Sequence, residues 1–146
     1  MKKININKIT DTGNPNFIKR AMSKSVKLLY KNDEFIPTLL IVACGIDVSS
    51  GGNKSKYLKL LEENFPDLCS ELGAIIFYQK YRNGIVHFLS PKKGFGIDRD
   101  TSMQGKYIEE SEVIETKQKI ISLNIDKLYS DFTKFMQQEI KIVKGE

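Results

Sequence analysis

The chain has no tryptophan, a single histidine, two cysteines and four prolines in 146 residues. Each scarcity closes off some chemistry. One histidine and two scattered cysteines, Cys44 and Cys69, with no CxxC spacing, are a poor ligand set, so no metal site and no cofactor are expected. The two thiols fall in or beside apolar helical stretches, where free buried cysteines are the rule, and this points to a reducing compartment. No apolar run approaches the roughly 20 residues that span a bilayer. The first residues, Met1 to Asn7, carry positive charge without the apolar core or small-residue cleavage site of a secretory signal. A soluble, cytoplasmic protein without membrane contact is the expectation. A phosphate cradle is missing too: Ser49-Ser50-Gly51-Gly52-Asn53 lacks the Gly-Lys-Ser/Thr ending and the preceding strand of a P-loop, and reads as a helix connector.

What is present suffices for one domain, residues 1–146, since 40% of the residues are apolar and 28% charged. The formal charge of +5 permits an anionic partner without specifying one, because the lysines are scattered. Residues 1–15 are polar, end in the turn formers Asp11-Thr12-Gly13-Asn14-Pro15, and read as a loosely ordered tail. Apolar residues then recur at three- and four-residue spacing from about Asn16 to Tyr30, the period of an amphipathic helix. Asn32 or Asp33 can cap a second helix that tolerates Pro37 in its first turn and runs to about Val48. Its segment from Ile36 to Ile46 is nearly all apolar, which places it at the centre of a bundle. A third helix is expected from about Lys54 to Asn64, burying Tyr57, Leu58, Leu61 and Phe65, and a fourth from Pro66 or Asp67 to Leu89.

After Pro91 the period changes. Alternation near Phe95 to Arg99 and within Tyr107 to Leu123 predicts a small antiparallel β-ribbon in residues 92–123, with Asp100 to Gly105 as a joining turn. Asn124 then caps a last amphipathic helix to about Val143, with Leu128, Phe132, Phe135 and Met136 on one face. The fold class that results is mainly α, a bundle of about five helices with the ribbon inserted before the C-terminal one.

Chemistry converges on Tyr81-Arg82-Asn83-Gly84-Ile85-Val86-His87, which sets the sole histidine five residues after an arginine in the most apolar part of the chain. Arginine offers a fixed fork of donors to a phosphate, and histidine exchanges a proton near neutrality. At about 100° per residue Arg82 and His87 project about 140° apart, flanking a shared face, while Asn83 lies one turn before His87 and can steer the ring. The plainer reading makes His87 a satisfied helix-end residue. Asp47 is either an exposed acid near a helix C-terminus or a carboxylate that orients Arg82 or His87. Gly84 serves close packing or leaves room for another backbone or a ligand.

This neighbourhood resembles the HEPN superfamily, helical domains with an arginine, four to six residues and a histidine at the end of a long helix, a polar residue usually following the arginine. Arg82, Asn83 and His87 fit that pattern, as do the apolar helix ending in Asp47 and the Asn64-Phe65-Pro66 stretch. The resemblance covers about Phe17 to Pro91 and the C-terminal helix, and does not extend over Lys92 to Ser122. It implies a metal-independent endoribonuclease, often a toxin or defence effector, that cleaves RNA to a 2′,3′-cyclic phosphate. Arg82, His87 and Asn83 would be its catalytic residues and Asp47 their support. It also implies a homodimer, which would supply the second proton-transfer group that one histidine cannot, and, for a toxin, an antitoxin protein as partner. The alternative is a non-catalytic HEPN-like dimer that binds a protein or nucleotide. An exposed Arg82 and His87 in a basic cleft would favour the catalyst, and a buried, satisfied pair would favour the module.

Overall fold

The computed structural model describes residues 15–144, so the expected loose tail lies outside the described residues except for Pro15, which opens the first helix. That helix, α1, is Pro15–Lys31, and α2 is Phe35–Ser50. The apolar run of α2 is explained by its position: it packs on α1, on the C-terminal helix α7 (Ile125–Lys144), on α3 (Lys54–Asn64) and on the end of the motif helix. Gly45 lets α2 and α7 approach, because a Cβ there would sit 2.5 Å from the Phe132 ring. Lys19 of α1, nearly buried, reaches Glu139 of α7 at 2.7 Å and closes the third side of that packing. Among the described residues no single helix is long and apolar enough to cross a membrane.

Three local expectations are corrected. Neither Asn32 nor Asp33 caps α2; its N-cap is Glu34 with no side-chain bond, while Asp33, at φ +59°, accepts from Arg99 Nη1 at 2.8 Å. The fourth helix is two: α4 (Pro66–Glu71) ends at Leu72, and Gly73, at φ +95°, restarts the chain as α5. Only glycine adopts that backbone geometry without penalty, so the break is encoded at one residue. Helix α5 runs through Ala74–Ile76, a π-helical stretch Phe77–Arg82 and a regular end Asn83–Phe88. The wider π turn buries Phe77 and Tyr81 together, stacked at 5.8 Å, and leaves the Lys80 carbonyl to accept from the Lys92 amide at 2.9 Å.

The third correction concerns the ribbon, which is a three-stranded mixed sheet. Strands β1 (Phe95–Asp98), β2 (Ile108–Glu112) and β3 (Lys119–Asn124) lie in the order β1-β3-β2; β2 and β3 are antiparallel, but β1 pairs with β3 in parallel, Phe95 opposite Ile121. The stretch read as a joining turn contains a short helix, α6 (Asp100–Met103), which with β2 carries the chain around to the far edge. Tyr81 ties this sheet to the bundle by donating to the Ile121 carbonyl at 2.8 Å. Asn124 performs its expected capping role, accepting from the Lys127 amide at 3.0 Å, and its amide also donates to Asp100 and the Lys106 carbonyl.

Candidate functional site

The π turn delivers Arg82 to the flank of α2. Its Nε and Nη2 donate to Asp47 Oδ2 at 3.0 and 2.8 Å, and Nη1 donates to Asn83 Oδ1 at 2.8 Å. Of the five N–H groups of a guanidinium, these bonds engage three and leave one on each terminal nitrogen. Asp47 thus contacts Arg82, one of the two roles considered for it, and Asn83 holds the guanidinium where the sequence suggested it would steer the imidazole. The Arg82 side chain is 18% exposed. Burial works against its charge, but the hydrogen bond and charge of Asp47 outweigh that and raise its pKa above the ordinary value. The cation is permanent and its orientation is fixed from two sides.

His87 stands differently. It is exposed, no hydrogen bond to it exists among the described residues, and its ring lies edge-on to the neighbouring Phe88, with centroids 6.3 Å apart. Phe88 and Leu89 are themselves exposed, at 72% and 64%. Leu89 takes a left-handed conformation, φ +54°, which ends α5 and turns the chain back across it. Gly84 makes the return possible: a Cβ there would lie 2.6 Å from the Ser90 carbonyl oxygen and 2.8 Å from the Lys92 nitrogen. The close approach is by the returning backbone of the same segment and not by another helix. The imidazole is thereby left at an open helix end, one turn beyond Asn83.

Beneath Arg82 lies an aromatic floor that the sequence did not announce as part of a site. The guanidinium carbon is 5.0 Å from the centre of the Tyr78 ring, Lys54 Nζ is 5.4 Å from the same ring, and Tyr57 packs edge-on against it at 5.1 Å. Two cations on one ring gain from its quadrupole. Tyr57 reads from sequence as plain core of α3, and it is fully buried, yet its hydroxyl has no hydrogen-bond partner among the described residues. A buried unsatisfied hydroxyl costs about 1–3 kcal/mol. Burial and the Asp47 charge push its pKa well up, so it remains a phenol and a donor. The one signal available in the sequence is the four-residue step from Tyr78 to Arg82, which stacks side chains on a helix; nothing local points to Tyr57.

Cys44, on α2 one turn before Asp47, is half-buried and free. Burial first, then the Asp47 charge, raises its pKa, which keeps the thiol protonated and unreactive. Cys69 is likewise half-buried, pushed up to about 11 by burial and Glu62. Among the described residues no group of three or more histidine, cysteine or acidic side chains is placed to hold a metal ion.

The fold and site together define a mainly helical domain with a small mixed sheet, carrying a clamped arginine and an open histidine on one helix. Comparison with protein-family models, with curated proteins and with solved structures returns no match for this chain.

Proposed function

We propose that the protein is a metal-independent endoribonuclease of HEPN type, a toxin or defence effector that cleaves RNA to a 2′,3′-cyclic phosphate. The observation that carries this reading is the contrast on one helix: Arg82 is held in place by Asp47 and Asn83 with a donor left on each terminal nitrogen, while His87 is open to solvent and unbonded. His87 takes the proton of a ribose 2′-hydroxyl, the oxygen attacks the adjacent phosphorus, and Arg82 stabilises the charge that gathers on the phosphorane oxygens. The 5′-oxygen then leaves, and it needs a proton. The chain has no second histidine, so a second copy supplies that acid, its own His87 brought in across the exposed Phe88 and Leu89. For a toxin of this kind an antitoxin protein is the further partner.

A non-catalytic binding module is favoured by one observation, the near enclosure of Arg82 in an ion pair that would serve structure alone. Products separate the two readings. Incubated with single-stranded RNA in EDTA, the protein should yield fragments ending in a 2′,3′-cyclic phosphate, and a strand with 2′-hydrogens at every position should stay intact. Cleavage that requires magnesium, or that cuts the 2′-deoxy strand, would contradict the proposed chemistry.

A further inference from the structure

We infer that Lys54 is a second phosphate-binding residue, whose ammonium takes the RNA phosphate next to the one at Arg82. This rests on the reading that Arg82 receives the substrate phosphate. Both cations stand on one ring: Lys54 Nζ is 5.4 Å and the Arg82 guanidinium carbon 5.0 Å from the centre of Tyr78. Their charges are therefore no farther apart than those two distances together, a span suited to neighbouring phosphates of one strand. Lys54 is exposed, and among the described residues no carboxylate lies within ion-pairing distance of it. Its flexible four-carbon stem lets the ammonium follow a backbone that passes Arg82.

Arg82 alone leaves the site short of charge. Its guanidinium is paired to Asp47 at 2.8 Å, so the two together are neutral, and the donor left on each terminal nitrogen gives direction without net attraction. Lys54 supplies the positive charge that the clamped pair lacks, and Arg82 stays on Asp47 while a phosphate binds. The resting fold has little use for a cation at this place. Lys54 opens α3, whose first turn holds no acidic residue, and positive charge there opposes the helix dipole. An acid would suit the helix better; the lysine suits an arriving anion.

The test titrates a single-stranded 2′-deoxy oligonucleotide, which binds without being cut, at a series of salt concentrations, with a melting curve to show that each variant is folded. Lys54→Gln should weaken binding at low salt and lower the slope of log affinity against log salt by about 0.7, the share of one phosphate contact on a single strand. Lys54→Arg should restore both. Lys59→Gln removes the same charge from the same helix, at a side chain paired with Glu63 at 3.7 Å, and should leave the slope at its wild-type value. Wild-type slope and affinity in Lys54→Gln, with binding weakened in Arg82→Gln, would overturn the inference and leave the role of Arg82 standing. An equal loss of slope in Lys59→Gln would show a general field in place of a site and would also overturn it. Absence of binding by the wild type, or unchanged binding in Arg82→Gln, would remove the role of Arg82 and the inference with it.

Discussion

Gly84 carries more of the site than its lack of a side chain suggests. On helix propensity alone, alanine there would gain about 0.5–1 kcal/mol. The contacts decide the sign the other way, because the atoms a Cβ would meet are backbone, Ser90 O and Lys92 N, and cannot rotate aside. Gly84→Ala should therefore destabilise by about 1–3 kcal/mol, the usual cost of overpacking, and should loosen the Lys92 to Lys80 bond that folds the chain back past His87. Thermal melting checks this, and a rise in melting temperature would contradict it. At this scale the sequence was partly legible. Arg82, Asn83 and His87 announce themselves by type and spacing, and Asp47 by being the acid at the end of an apolar helix. The bond between Arg82 and Asp47 spans 35 positions, and the burial of Tyr57 against Tyr78 joins two helices; neither leaves a local trace.

Elements were legible where one period governs them. The ends of α1, α2, α3 and α7 fall within a few residues of those the apolar spacing predicts, and Asn124 caps α7 as its type suggests. The break at Gly73 rests on a single glycine that the continuous apolar spacing overrode, while the π turn and the parallel pairing of β1 with β3 were not legible, since each depends on packing partners distant in sequence. One such partner is Asp126, in the first turn of α7. It accepts from the Tyr30 hydroxyl, from Arg99 and from the Asp100 amide, joining α1, α7 and the β1–α6 connection. Burial alone would raise its pKa, but the bonds from Tyr30, the Asp100 amide and Arg99 outweigh it, and the net shift is downward. A depressed carboxylate pKa stabilises the fold above the unfolded value of about 3.9 and loses that contribution as pH falls through the folded value. The melting-temperature deficit of Asp126→Asn against wild type should thus be full at neutral pH and shrink as pH drops below about 4. A deficit constant with pH would contradict it. Tyr30, pushed up to about 12 chiefly by burial and then by Asp126, keeps its proton throughout that range.

Across the whole molecule, the helices gather around α2, and the sheet braces the far side of α5 through Tyr81. This arrangement puts a rigid support behind Arg82 and leaves the end of α5, with His87, Phe88 and Leu89, facing outward. The mainly helical class was readable from composition and period, whereas the outward placement of His87 depends on the chain reversal at Leu89, which no spacing rule foretells. The proposed chemistry needs that exposed imidazole and a second copy of it. The most direct test is His87→Ala, compared with wild type for RNA cleavage in EDTA, with light scattering and a melting curve on the same samples. The account predicts dimers of unchanged melting temperature whose cleavage rate falls by roughly 10²–10⁴-fold, the usual contribution of general acid–base catalysis. Cleavage at the wild-type rate by a well-folded His87→Ala protein would contradict it.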